Sequence, residues 1–433
     1  MIRKRLLSAC LALALCLGLL PVTALAAGED APNTLYVGNQ QVISGSSTTY
    51  WTTDNNGELT RVENVTDDSN DWTVRYDPNT ATLTLKNATI KTTHGDSRGA
   101  MIYAQSVGSR AVSLTIQLVG ENTIVCDSAY YGIYVDAEMS NDSYGTDASL
   151  TITGNGSLEV SGSSYGIWVK SGTGNASLNI KNVAVTSSTN GDYAAGVCVQ
   201  SSTKATGSPQ LSLAVDGGSL TTSASEGNDG IQFYVGSSEA TGATTSLTVS
   251  DNAIVRANGG IKASRVDEPT PSGTGIVFDG TEGTVYGDVT LDESLTINQG
   301  ETLTIPDDSS LNSNGKLTNN GKIIVDNGGK LEGTINGNQP PKITTERLND
   351  GTVNTTYNQT LVASGDATIT WSSSDLPNWL TLNSDGTISG TPTAAGTYSF
   401  TVTATNDYGS DSKEFALTID QQGTIHVTSV SLD

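Results

Sequence analysis

"YGIYV" at 131–135 and "YGIWV" at 165–169 are nearly the same five residues, 34 positions apart. Glycine-led alternations keep this rhythm along the chain: "GAMIY" at 99, "GIYVD" at 132, "GIWVK" at 166, "GVCVQ" at 196, "GIQFY" at 230 and "GIKAS" at 260, in steps of 33, 34, 30, 34 and 30. A second signature accompanies it, "SLTI" at 113 and 149, "SLNI" at 177, "SLAV" at 212 and "SLTV" at 246, and each is followed by a third short alternation such as "NTIVC" at 122 or "NAIVR" at 252. "ATLTLKNATIKT" at 81–92 supplies the second and third pieces of one more unit. Each unit therefore holds three short strands of period two, joined by turns rich in Gly, Asn, Ser and Asp, with no helical period between them. Three strands per unit and no helix predict a solenoid whose units pair in parallel with their neighbours about 4.8 Å away. A sandwich is the competing architecture, but hairpin strands have no reason to recur in fixed threes.

From "YDPNTATLTLKNATI" at 76–90 through the six glycine-led units, the chain resembles the right-handed parallel β-helices of the pectate-lyase-like group, in the form found on bacterial surface and carbohydrate-binding proteins. The resemblance covers roughly half the chain and implies an all-β, right-handed parallel β-helix (solenoid) over 81–338. From 283 the rhythm tightens, with "VTL", "LTI", "KLTNNGKIIV" and "KLEGTI" separated by Asn-Gly and Gly-Gly turns, and this reads as narrower coils. Open ends would expose unpaired strand edges. Residues 27–80, with Trp51 and Trp72, are the candidate N-terminal cap.

"NQPPKIT" at 338–344 reads as a linker, because neither proline can donate to a sheet ladder. Beyond it, "TYNQTLVASGDATITW", "LPNWLTLNSDGTISGTPTAAGTYSFTVTATNDYG" and "FALTI" resemble the immunoglobulin-like modules of bacterial surface proteins, which belong with the dystroglycan-type cadherin-like β-sandwiches. This module spans 339–420, and in the family such modules act as spacers or adhesion units. "LNSDGTISG" predicts a tight turn with positive φ at Gly386 and Gly390. Alternation places Tyr398, Phe400, Val402 and Ala404 on one face, and Trp371, Trp379 and Leu382 are expected in the core. Residues 421–433 read as a linker and the start of a further module, since "IHVTSVSLD" resembles the opening strand of a group 2 bacterial immunoglobulin-like domain.

The N-terminal end has the layout of a secretory signal peptide: "MIRKR", the apolar run "LLSACLALALCLGLLPV", then "ALA" at 24–26, with cleavage expected after Ala26. No second apolar run of membrane length follows. The expected location is extracellular or on the bacterial cell surface or wall, with no membrane insertion after cleavage. The formal charge of −24 becomes −27 once Arg3, Lys4 and Arg5 are removed, which excludes nucleic acid and anionic lipid as partners. Cys126 and Cys198 are the cysteines left. They fall on different strand types about two coils apart, so no disulfide is expected.

The aromatic residues of the opening repeat carry the functional reading. With Ile133, Val135, Ile167 and Val169 pointing inward, Tyr131, Tyr134, Tyr165 and Trp168 are expected on the outer face, flanked along the column by Met101 and Cys198. Such rings suit the apolar faces of sugars, and Asp136, Lys170 and Gln200 stand beside them to bond hydroxyls. The bland alternative is an aromatic ladder that stacks only on itself, or one covered by the loop at 141–147. Asp136 and Lys170 alone read as an ordinary exposed ion pair.

The chain is accordingly read as a non-catalytic binding or adhesion protein whose partner is carbohydrate or a cell-surface glycoprotein. A polysaccharide lyase or glycosidase of β-helix type is the alternative, and a structural stalk is a third. Against an enzyme, His94 and His426 stand in no recognisable catalytic setting, and GxSxG, HExxH, CxxC and the Gly-His-Gly and aspartate strings of polygalacturonases are missing. The cadherin-like resemblance raises calcium as the metal to look for, with Asn406, Asp407 and Asp411 as candidate ligands. No complete DxNDN-like string accompanies them, and Asp, Asn and Gly beside a strand end also make a turn. No other cofactor is expected.

Overall fold

The computed structural model describes residues 30–92, 99–106, 109–126, 131–137, 146–192 and 194–423. The expected signal peptide, both histidines, and the stretch after 423 lie outside them. Every regular element among the described residues is a β-strand, and no helix among them is long and apolar enough to cross a membrane. Two compact units divide the chain: residues up to 214 with 219–247 and 261–269, and residues 215–218 with 248–260 and 270 onward.

In the first unit, the glycine-led segments form one ladder. Strands Ala100–Gln105, Tyr131–Asp136, Tyr165–Ser171, Ala195–Ser201, Asp229–Val235 and Ile261–Ser264 pair in parallel, each with the next. Ile133 lies opposite Ile102 on one side and Ile167 on the other, and Val197, Ile231 and Ile261 continue that column. All six are at most 4% exposed. Stacking branched residues at each step keeps one aliphatic column continuous, and burying each such side chain contributes about 1.5–3 kcal/mol.

A second parallel ladder joins Val112–Val119, Ala148–Gly154 and the front of Ala176–Thr189, with Leu114, Leu150 and Leu178 in one row and Ile116, Ile152 and Ile180 in another. The third joins Thr89–Thr92, Glu121–Cys126, Ser157–Gly162 and the back of Ala176–Thr189. At the corner between them, buried Asn122 accepts from the Ala88 N–H at 2.9 Å and donates to the Gly120 carbonyl at 3.1 Å. One side chain thus satisfies backbone groups of two successive repeats, which the buried turn requires.

Near the N-terminal end the direction changes. Thr34–Val37 pairs antiparallel with Ala100–Gln105. Thr49–Thr53 pairs antiparallel with Leu59–Val62 and with Val74–Asp77, and the latter pairs with Thr82–Lys86, which joins the second ladder. Trp51 and Trp72 are each 6% exposed beneath this region.

The second unit repeats the scheme with a shorter step. Glu282–Tyr286, Thr302–Ile305 and Lys322–Val325 form one parallel ladder. Asp288–Thr290, Ser310–Asn312 and Lys330–Glu332 form another, and Leu295–Ile297, Leu317–Asn319 and Ile335–Gly337 a third. Val289, Leu295, Leu303, Leu311, Leu317 and Ile323 are among the buried aliphatics of the core they share.

The sandwich that follows is built on the hairpin Gly396–Asn406 with Gly409–Asp420, which pairs with Thr370–Ser372 and Gly351–Thr352. Thr387–Gly390 with Tyr357–Thr360 and Leu380–Leu382 forms a further sheet. Trp371, Ile388, Phe400, Val402, Phe415 and Leu417 are buried in its core, while Trp379, Leu382 and Tyr398 are only partly buried against it. Gly386 has the expected positive φ of 89°. Gly390 does not; it is needed because a Cβ there would overlap the Trp379 carbonyl.

The hairpin also reaches the narrower ladder. Gly409, Ser410 and Asp411 lie opposite Ile323, Ile324 and Val325 in parallel register, and the Ile323 N–H donates to the Tyr408 carbonyl at 3.0 Å. The region after the two prolines is therefore an added strand on the ladder's edge as well as a separate core.

Candidate functional site

Glycine decides where the aromatic rings go. A Cβ at Gly132 would overlap Val160 on the third ladder, and one at Gly166 would overlap the Ser187 hydroxyl. Both glycines therefore face inward, as do Ile133 and Ile167 immediately after them. Two inward residues in succession break the alternation of an ideal strand. The break brings Tyr131 and Tyr134, three residues apart, onto the same outer face, and Tyr165 and Trp168 likewise.

Register supplies the rest. Tyr131 lies opposite Tyr165, and Tyr134 opposite Trp168. The Tyr134 and Trp168 rings stack at 4.3 Å between centroids and 8° between planes. Tyr131 approaches Trp168 at 4.8 Å and Tyr134 at 5.1 Å, Tyr165 approaches Trp168 at 5.2 Å, and Tyr131 and Tyr165 lie nearly parallel at 6.0 Å and 13°. Each such pair adds about 0.5–1.5 kcal/mol to its area burial. The five ring contacts leave these side chains little freedom to rotate.

Met101 does not flank this group. Tyr103 stands opposite Tyr134 instead, 5.4 Å from it, and Met101 is fully buried. The slip is two residues, which leaves the alternation of faces unchanged, so periodicity alone could not detect it. Cys198 does lie beyond Trp168. Tyr36 and Tyr234 also pack against the cluster; Tyr36 arrives on the antiparallel strand, opposite Tyr103, and no repeat announced it.

The rings divide by exposure. Tyr103, Tyr134 and Trp168 are 6%, 8% and 9% exposed, while Tyr131 and Tyr165 are half-buried. Trp168 and Tyr134 are thus a foundation, and Tyr131 and Tyr165 are the surface laid on it. Trp168 Nε1 donates to Gln200 Oε1 at 3.1 Å, and Lys170 Nζ lies 5.3 Å from the Trp168 ring centre.

Asp136 is not the exposed partner of an ordinary surface pair: it is 7% exposed. Tyr103 donates its hydroxyl to Asp136 Oδ2 at 3.3 Å, and Lys170 occupies the equivalent position in the next repeat. Burial pushes the carboxyl up to about 6, against the opposing pull of Lys170, Tyr134 and Tyr103. Burial likewise lowers Lys170 from its ordinary value, while Asp136 and Cys198 oppose it. The Cys198 thiol, fully buried, is raised by burial first and by Asp229 second. Such a thiol is no nucleophile. Cys126 and Cys198 are both buried, and neither is in a disulfide among the described residues.

Two of the three candidate calcium ligands, Asn406 and Asp411, are engaged in hydrogen bonds to backbone groups. Asn406 Nδ2 donates to the Gln339 and Asp366 carbonyls at 3.0 and 2.6 Å, and Asn406 Oδ1 accepts from the Tyr408 N–H at 2.9 Å. Asp411 Oδ2 accepts from the Ile343 N–H at 2.6 Å. Asp407 is exposed. Among the described residues, no group of three or more His, Cys, Asp or Glu side chains is placed to hold a metal ion.

Residues 340–420 match the family described as "Putative Ig domain". No curated protein matches the chain. Among solved structures, a "putative alpha-galactosidase" from Bacteroides fragilis is 30% identical over 19% of this chain and 18% of its own, with a TM-score of 0.18. An endo-fucoidan hydrolase from glycoside hydrolase family 107 is 25% identical over 21% of this chain and 16% of its own, with a TM-score of 0.18. A SusE-like surface-located polysaccharide-binding protein from Bacteroides thetaiotaomicron is 25% identical over 22% of this chain and 16% of its own, with a TM-score of 0.17. The chain thus spans 16–18% of the length of these proteins.

Proposed function

We propose that the protein is a secreted, cell-surface, non-catalytic binding protein that recognises carbohydrate through the outer aromatic face of its first unit. The ladders at steps of 30–34 residues are read as coils of a right-handed parallel β-helix, carried on an immunoglobulin-like module. The observation that supports the binding reading is the near-parallel, half-buried pair Tyr131 and Tyr165 resting on buried Tyr134 and Trp168. Sugar rings stack on flat, rigid aromatic faces because little side-chain entropy is lost on binding. Lys170, Gln200 and Tyr234, half-buried on successive strands of the same column, supply donors and acceptors for hydroxyls. A glycan array probed with wild type, Tyr165→Ala and Trp168→Ala tests this. Binding present in wild type and lost in both variants supports the site; binding retained by both removes it.

A polysaccharide lyase or glycosidase is the second reading. It is favoured by Asp136, whose carboxyl, raised to about 6, is suited to exchange a proton near neutral pH. Reducing or unsaturated sugar released from uronic polymers by wild type but not by Asp136→Asn would support it. Silence there and on the array would leave a structural stalk.

A further inference from the structure

We infer that the open end of the narrower ladder is a docking groove for an extended peptide strand of a partner, read in the order acidic, apolar, basic. This goes beyond carbohydrate recognition on the first unit and concerns a different surface. Lys330–Glu332 ends its three-stranded sheet and offers an edge among the described residues, whereas on the strand that ends another sheet, Ile335–Gly337, the Ile335 and Gly337 carbonyls already accept from Gln339 Nε2 at 2.9 Å each. Leu331 ends the row that starts with Val289 and Leu311. Val289 and Leu311 are fully buried, whereas Leu331 and Ile335 are only partly so. A groove of about 850 Å³ lies over them, and Pro340, Pro341, Ile343, Asp366, Asp411 and Glu414 are also in its lining.

The occupant follows from the neighbouring strand. The third strand of the same rung, Lys322–Val325, already has its next place filled in parallel by Gly409–Asp411. The ladder end therefore accepts an added strand one position beside the groove, and the groove continues that interface. Its volume suits a short extended segment. No aromatic ring lines it among the described residues, which disfavours sugar. Strand addition takes its affinity from backbone bonds and its selectivity from alternate side chains.

Charge sets the reading order. Exposed Lys330 and Glu332 flank Leu331, and charged edges resist indiscriminate pairing. A parallel strand in register meets Lys330, Leu331 and Glu332 as Ser310, Leu311 and Asn312 do from the other side. Opposite charges directly across a pair are favourable and like charges unfavourable. The segment that fits carries an acid, then an aliphatic residue, then a base.

The test uses fluorescein-labelled Ser-Asp-Leu-Lys-Ser and its reversal Ser-Lys-Leu-Asp-Ser, titrated by anisotropy into the full chain and into the double variant Lys330→Glu with Glu332→Lys, with sedimentation velocity alongside. Both side chains are exposed, so the variant keeps the fold. The first peptide is expected to bind wild type about tenfold more tightly than the second, and the preference to invert in the double variant. Failure of both peptides to bind, or the same preference in both proteins, overturns the proposal. So does a wild-type dimer that the double variant abolishes, since the groove would then belong to a second copy.

Discussion

At the scale of single residues, the fate of Asp136 is the sharpest consequence of the aromatic lattice. Its carboxyl rises from an ordinary 3.8 to about 6. Between those values the folded protein retains a proton that the unfolded chain has released. The stability this contributes is full below pH of about 4 and is lost as pH rises through 6. The difference amounts to about 3 kcal/mol. Urea denaturation of wild type and Asp136→Asn at pH 4 and pH 7.5 should show the variant gaining on wild type by about that amount at the higher pH. A gap that stays constant would mean that the carboxyl titrates normally. Trp168 acts through packing instead. Its replacement by Ala removes stacking on Tyr134, Tyr131 and Tyr165 and should destabilise by about 3–5 kcal/mol, read from the same urea curves. Nothing in the letters "YGIYVD" said that Asp136 would be buried. The sequence places it on the outer face, and the hydroxyl that reaches it belongs to Tyr103, which the repeat alignment sets two positions away.

At the scale of strands and turns, the repeated glycine is a packing requirement. Gly166→Ala would drive a methyl into the Ser187 hydroxyl and against the Gly196 carbonyl. A loss of about 1–3 kcal/mol is expected; an unchanged urea midpoint would show that the inward turn at Gly166 relaxes freely. These glycines are visible in the sequence, as are the rows Leu114, Leu150, Leu178 and Ile116, Ile152, Ile180, because the nearly identical signatures "SLTI", "SLTI" and "SLNI" mark equivalent positions directly. The slip at "GAMIY" was not visible. Shifting by two preserves every face, and the observed register brings Tyr103 opposite Tyr36 of the antiparallel strand Thr34–Val37. A contact made by a strand outside the repeat leaves no trace in the repeat's period.

At the scale of the whole molecule, the sandwich does more than extend the chain. Its hairpin pairs with Lys322–Val325, Asn406 bonds back to Gln339, and the Glu414 N–H donates to Asn327 Oδ1 at 2.8 Å. The linker reading of the two prolines missed this, because a strand joining an edge more than 80 residues earlier has no local signature. A chain ending at residue 338 would leave that edge bare, and exposed parallel edges recruit other chains. Sedimentation velocity should find the shortened chain self-associated at a concentration where the full chain sediments as a single species. A monodisperse shortened chain would assign the joint no protective role.

Carbohydrate recognition as proposed depends most on the pair of half-buried tyrosines, Tyr131 and Tyr165, as a sugar-stacking surface. Calorimetric titration of the best glycan from the array into wild type, Tyr165→Phe and Tyr165→Ala measures this directly. Phe keeps the ring and should bind within about threefold of wild type, whereas Ala should weaken binding at least tenfold, since a lost ring stack is worth about 1.4 kcal/mol or more. Equal affinity for all three proteins would contradict sugar stacking on Tyr165.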